Sequence, residues 1–407
     1  MTALARSLQQ RGHEVVLFGI ADTETRVRAA GIEFHLIGAE DFPAGTLQRL
    51  DEELSRLKGL ATFRFTVERV QNSARMVLRD GLEAVRAAKI DGLLIDQAEF
   101  AGSIADYLGL PRVSIALIPP MVPDDRFPPS WFGWPAGQDR LSRFRNRLGM
   151  GLLKWIAAPI FKEVNQQRVA WGLNPIRRPE DSLVDLVQIT QLPAALEFEV
   201  PGDDPPGLFY TGPFVHASQR PLIEFPWERL DGRPLLYASL GTLQNGSEHI
   251  FRTIAEACAP LNAQLLISLG GGLDSERLGK LAGDPVLVRF APQLEILKRA
   301  ALVITHAGIN TVLESLSEGV PMVAVPLGND QPGMAARVKA HGAGLVVPLR
   351  KLNSARLRDA IEQVLREPKY REAAGALQKA IRQSDGPGLA ADLVEQALNI
   401  GSAQPIA

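Results

Sequence analysis

The sequence predicts an α/β protein of two separate units, each a parallel sheet with helices on both faces, facing each other across a cleft. Three observations predict it. Helical and extended patterns alternate along most of the 407 residues, as they do where helical crossovers lay strands parallel. The length is two to three times that of an average domain. The alternation lapses once, from His216 to Pro234, and then resumes.

The chain opens in a helix. Leu4 and Leu8 lie at i, i+4 among good helix formers, Gly12 is placed to cap them, and Val15–Phe18 is a short buried strand. In a doubly wound sheet a helix feeding a strand is itself fed by an earlier strand, and none precedes this one. Either that strand is missing or the fold starts with a helix. Next come a helix over Thr23–Ala30, an extended Glu33–Ile37, and a long helical stretch, Leu47–Lys89, broken near Gly59. Strand Gly92–Ile95, helix Gly102–Leu108 and strand Val113–Ile118 continue the alternation. Residues 119–138 differ, with six prolines that hold them as a loop and four aromatics, Phe127, Trp131, Phe132 and Trp134. Such a loop is either a packed lid or a face for an apolar ligand, and the aromatics make candidate walls of an acceptor pocket. Arg140, Arg143, Arg145 and Arg147 then precede a mostly apolar Leu148–Phe161. Residues 140–161 read as a basic amphipathic element for an anionic membrane surface, or as a solvated helix face followed by a core helix.

Strands at Val187–Thr190 and Leu208–Tyr210 close the first half. The second alternation begins at Leu235–Leu240 and runs through helix His249–Cys258, strands Gln264–Leu269 and Val286–Phe290, and helix Leu294–Arg299. Strand Leu302–Thr305, helix Asn310–Glu318 and strand Met322–Val325 follow, and four helices end the chain. The expected division is a first domain over 1–215, a linker over 216–234, a second domain over 235–385, and a terminal helix and tail over 386–407 packing back toward the first domain.

Composition narrows the function. Lys plus Arg is 44 against 46 Asp plus Glu, a net charge of −2, which argues against general nucleic-acid binding. One cysteine excludes a disulfide framework and a Cys-based zinc cluster, and the six histidines show no paired metal-ligand spacing. No apolar run reaches the roughly 18 residues of a membrane span, and no secretory signal opens the chain, so a cytoplasmic protein is expected.

Ligands of open α/β sheets bind outside the carboxyl ends of the strands, and those ends are polar in the second half. Strand 302–305 runs into His306-Ala-Gly-Ile-Asn-Thr311 and then a helix. Gly308 lets a ligand approach the backbone, the helix N-terminus offers free N–H groups to an anion, and His306 and Thr311 add donors. Glu314 shares a helix face with Asn310 and Thr311, and a carboxylate there suits a ribose diol. A His at a strand end is also common as a plain hydrogen-bonded turn residue. Ser239–Thr242 and Ile267–Gly272 add small phosphate-sized turns, Phe290–Gln293 an aromatic face with an amide, and Leu327–Gln331 a carboxylate and an amide for sugar hydroxyls. Together they suggest a nucleoside diphosphate-sugar site.

From Phe290 to Gln331 this region resembles the donor domain of family 1 UDP-glycosyltransferases of the GT-B fold. The match runs through aromatic-x-Pro-Gln, His-x-Gly-x-Asn-Thr, Glu314, Gly319-Val-Pro321 and Asp330-Gln331. Through Ser239–Thr242, His306–Gly308 and Asn329–Gly333 it resembles the bacterial zeaxanthin (carotenoid) glucosyltransferase type. The resemblance implies two Rossmann-like domains and an inverting, metal-independent transfer of a hexose, glucose above all, from UDP-sugar to a lipophilic acceptor such as a carotenoid or other terpenoid. UDP-sugar is then a co-substrate and no cofactor is needed. It implies that Phe290 stacks on uracil, the Ala291 backbone reads the base edge, and Gln293 and Glu314 hold the ribose. Thr242, His306, Asn310 and Thr311 would hold the diphosphate, and Asp330 and Gln331 the sugar. Ile309 stands where plant members carry Trp, which puts finer sugar contacts in question.

In that family a His in a Gly-His-x-x-Pro turn after the first strand deprotonates the acceptor, and an Asp orients it. Asp96 matches that Asp, or else it merely caps the following helix; the His turn is absent. The resemblance implies that Met1 is internal and that about 15–25 residues, one strand plus a turn, precede it. The chain as it stands is expected to bind UDP-sugar and transfer poorly. A UDP-sugar or lipid-binding protein, and a UDP-sugar epimerase or hydrolase on the same fold, are the alternatives.

Overall fold

The computed structural model describes residues 1–56, 60–177, 187–214, 223–241, 248–271, 273 and 275–399. In the first half the order is α1 (Thr2–Gln10), β1 (Val16–Gly19), α2 (Ala21–Ala29), β2 (Glu33–Leu36), α3 (Thr46–Arg56), α4 (Leu60–Ala87), β3 (Leu93–Asp96), α5 (Gly102–Leu108), β4 (Arg112–Ala116), α6 (Arg140–Ala170), β5 (Gln188–Thr190) and β6 (Leu208–Tyr210). The second half holds β7 (Leu235–Ser239), α7 (Glu248–Cys258), β8 (Gln264–Ser268), α8 (Ser275–Leu278), β9 (Val286–Val288), α9 (Gln293–Leu297), β10 (Ala300–Thr305) and α10 (Ile309–Ser317). It ends with β11 (Met322–Ala324), α11 (Gln331–Ala340), β12 (Gly344–Val346), α12 (Ser354–Arg366), α13 (Pro368–Arg382) and α14 (Gly386–Leu398).

Six parallel strands form the second-half sheet in the order β12-β11-β10-β7-β8-β9. All five residues of β7 are buried, and they alternate between the two faces. Leu235 and Tyr237 join a core with Val312, Leu313 and Leu316 of α10, while Leu236 and Ala238 join one with Ile250 and Ile254 of α7. Burial on both faces is why these strands read as continuous apolar runs rather than alternations. From β7 the chain moves outward through β8 to β9, then returns to place β10 on the other side of β7. The strand order therefore reverses between β7 and β10, the point at which doubly wound sheets take their ligands.

The first-half strands divide into two sheets, β1-β2 and β3-β4-β5-β6, and no ladder joins β1 to β3 among the described residues. Phe18 and Ile20 nevertheless pack in one cluster with Leu93, Ile95 and Met76, so side chains bridge what the backbone does not. α14 lies against α1 and β4, with Ala390, Ala391, Leu393 and Val394 buried among Leu4, Leu8, Val113 and Ile115. Arg11 and His13 fix the outer edge through Glu395, at 2.8 and 2.7 Å.

α6 is a single 31-residue helix running through Pro159, started by Asp139, whose carboxylate accepts from the amides of Leu141 and Ser142. The segment after β5 crosses over: Leu192 and Leu196 are buried in the second-half core. Residues 216–222 of the expected linker and the tail from 400 lie outside the described residues.

Candidate functional site

Because the second sheet is all parallel, the ends of β7, β8, β9, β10 and β11 lie on one edge. At the switch point β10 ends in Thr305, and its hydroxyl accepts from the Ala307 amide at 3.1 Å. Ala307 is held at φ 66°, a conformation L-residues rarely adopt, and this turns the chain sharply into α10. His306 projects there between Gly241 and Gly308. A Cβ on Gly241 would stand 2.8 Å from the imidazole, and one on Gly308 would collide with it, so both glycines make room for the ring. Burial pushes the His306 imidazole down to about 4, opposed in part by its hydrogen bond with the Ser239 backbone. The ring is thus neutral at physiological pH, a hydrogen-bonding group rather than a cation.

α10 starts at Gly308 with no side-chain cap, leaving its first N–H groups open beside His306. Asn310 is exposed and Thr311 buried. Asn310 accepts at 3.2 Å from Gln191 of the first half, which also donates to the Leu117 carbonyl at 3.0 Å. No motif marks Gln191, whose site partner lies 119 residues away along the chain. Thr242 lies outside the described residues.

After β9, Phe290 stands 44% exposed over Gly271, whose missing side chain leaves the space the ring uses. Ala291 is buried behind it. Gln293 joins a chain, accepting from the Tyr237 hydroxyl at 2.9 Å and donating to Glu314 at 2.6 Å. Glu314 is only 1% exposed, held beneath Gln293 by this hydrogen bond. In the loop after β11, Asn329 takes φ 54° and Asp330 stands at the start of α11 without capping it. Burial raises the Asp330 carboxyl above the usual range. The Gln331 side-chain oxygen Oε1 accepts from the amides of Leu327 and Gly328 at 2.7 and 3.0 Å, so this residue shapes the loop that presents Asp330.

Across the cleft, Asp96 ends β3. Its carboxylate accepts from the Ala98 amide at 2.9 Å, and burial raises it above the usual range. α1 starts beside it. A cavity opens from Asp96 past Glu99, Phe100, Ser114 and Phe161. Burial, with the Asp96 charge adding, pushes the Glu99 carboxyl up to about 7.

The aromatic loop 119–138 closes the gap between the halves. Phe127 is buried with the Arg126 guanidinium over its ring, while Phe132 and Trp134 stack at 4.3 Å and press on Gly149 of α6. Trp131 is the most open of the four. On the other side the loop meets the start of α11: a Cβ on Gly133 would stand 2.9 Å from Pro332, and one on Gly333 2.5 Å from Ser130.

The chain matches the UDP-glucoronosyl and UDP-glucosyl transferase family over residues 61–385. Zeaxanthin glucosyltransferase of Pantoea ananas is 29% identical over 407 residues, covering 99% of this chain and 93% of that protein. Its namesake in Pseudescherichia vulneris is 30% identical over 400 residues, covering 97% and 94%. Among solved structures, the glycosyltransferase of kitacinnamycin superposes with a TM-score of 0.74 at 23% identity, covering 98% of this chain and 95% of that one. The shared architecture is GT-B, two Rossmann-like units on either side of a cleft.

Proposed function

The chain belongs to the UDP-glucoronosyl and UDP-glucosyl transferase family and is a glycosyltransferase, and on that premise we propose that it moves a hexose, glucose first, from UDP-sugar to a hydroxyl of a lipophilic small molecule with inversion. The observation carrying this reading is the meeting, at one sheet switch point, of an open aromatic ring, an uncapped helix N-terminus and a neutral imidazole. Phe290 stacks on uracil and the Ala291 backbone reads its edge. Gln293 with Glu314 faces the ribose, while His306, Gly308, Asn310 and Thr311, with Thr242, take the diphosphate. Asp330 faces the sugar from a loop braced by Gln331. The two full-length zeaxanthin glucosyltransferases support a carotenoid or related terpenoid alcohol as acceptor. The acceptor comes in beside the loop of Phe127, Trp131, Phe132 and Trp134 and presents its hydroxyl toward Asp96.

The leaving diphosphate gains negative charge as the glycosidic bond breaks. In this reading the open N–H groups and dipole of α10 stabilise that charge without a metal ion. Asp96 is the orienting partner of a base for the acceptor proton, the His of a Gly-His-x-x-Pro turn that these 407 residues do not contain. No described helix is long and apolar enough to cross a membrane, and the reading places membrane contact at residues 140–161.

The test is incubation with UDP-glucose and a dihydroxylated carotenoid, following UDP release and product mass, in the presence and absence of a chelator. A product heavier by one hexose is expected, formed slowly because the base turn is absent, and at a rate that the chelator leaves unchanged. Hydrolysed or epimerised sugar, or chelator-abolished activity restored by a divalent cation, overturns the respective part.

A further inference from the structure

We infer that the outward face of α6 is a docking surface for an anionic lipid bilayer. Leu141, Phe144, Leu148, Leu152 and Trp155 succeed one another at steps of three or four, so they form one stripe along roughly 20 Å of helix. All five face solvent, Leu141 at 79% and Trp155 at 71% exposure. A core-facing stripe would bury these side chains. Here the inward residues Asn146, Gly149, Ile160 and Val164 do that instead, and the helix is tied to α4 through Arg75–Glu163 at 2.8 Å.

Charge selects the occupant. Arg140, Arg147 and Lys154 recur every seven residues, two helical turns apart, and so line one flank of the stripe. From Arg140 to Lys162 the helix contains no carboxylate; the first is Glu163. Asp125 of the aromatic loop pairs with Arg143 at 2.6 Å and lies 3.6 Å from Arg147, whose side chain remains 63% exposed. An apolar stripe with a basic flank and an exposed Trp is the pattern of a helix lying in a bilayer interface, ring at headgroup level and cations toward anionic lipid.

Position gives the surface a use. The same helix carries the aromatic loop on its inward side, through Asn146 to the Asp125 carbonyl at 2.9 Å and through Gly149 against Trp134. A docked α6 therefore holds the acceptor loop next to the lipid in which a lipophilic acceptor dissolves. The docking deepens the membrane contact placed at residues 140–161 above, and its use rests on the function proposed there.

Flotation of the full chain with vesicles of phosphatidylcholine alone, or of equal parts phosphatidylcholine and phosphatidylglycerol, tests the inference without donor or acceptor. Binding to the anionic vesicles with a blue-shifted tryptophan emission is expected, along with its loss in high salt. Leu148→Ser with Trp155→Ser weakens binding by about tenfold or more, and Arg140→Gln with Arg147→Gln removes the preference for anionic lipid. Both variants keep wild-type UDP affinity and melting temperature. Binding that is absent, indifferent to lipid charge or unchanged in the stripe variant overturns the inference. So does a dimer in light scattering that the stripe variant abolishes, because the face then serves a second copy. Intact vesicle binding with no hexosyl product would defeat the transferase reading alone.

Discussion

Phe290 keeps an open ring because Gly271 beneath it has no side chain, and an open aromatic face is what a nucleobase needs. Phe290→Ala is expected to weaken UDP binding, measured by calorimetry, by roughly 5- to 150-fold, the worth of one base stack. His306 makes a pH prediction. Its imidazole is held at about 4 in the folded chain against an ordinary 6.5, so between those values the unfolded chain binds the proton and the folded one does not. Stability contributed by this group is therefore complete above pH 6.5 and falls as pH drops toward 4, by about 3 kcal/mol. His306→Gln should remove that part of the acid sensitivity, and melting curves of the two proteins from pH 7 to 4 check it.

Among the elements, the loop 119–138 is the one whose substitution separates donor from acceptor. Gly333 abuts the Ser130 backbone, so Gly333→Ala drives the loop off the start of α11. The expected result is a KM for the acceptor raised several-fold, with UDP affinity near wild type, read by steady-state kinetics and calorimetry. Sequence alone exposed the prolines and aromatics of this loop but not which ring faces the cleft, because Phe132 and Trp134 find their packing partner at Gly149. The polar strand ends were legible because buried parallel strands make continuous apolar runs and any break in polarity stands out. β12 was not: Gly344–Val346 is three residues long and carries no pattern of its own. Gln191 was hidden for a different reason, since its contact is made only after two distant segments fold together.

For the whole molecule, the tie between the halves runs through a buried ion pair. Arg337 of α11 donates to both oxygens of Glu197, at 2.8 and 3.0 Å, its guanidinium lies over Phe198, and His341 donates to the Glu197 carbonyl at 2.8 Å. Arg337→Ala strands a buried carboxylate and is expected to cost about 3–5 kcal/mol in denaturant unfolding, whereas Glu197→Leu with Arg337→Met recovers most of it. Domain boundaries drawn from sequence pass over this tie, because residues 192–198 belong to the first half by order and to the second by packing. The Gln191–Asn310 hydrogen bond is a second crossing, and it ends on a residue at the N-terminus of α10. In the proposed reading, one strut thus touches both the nucleotide end and, through Leu117 just past β4, the segment that leads into the acceptor loop. Two ligands that load the same strut are thermodynamically linked, and linkage is symmetric. Whatever factor the acceptor applies to the grip on the nucleotide, the nucleotide must return to the acceptor.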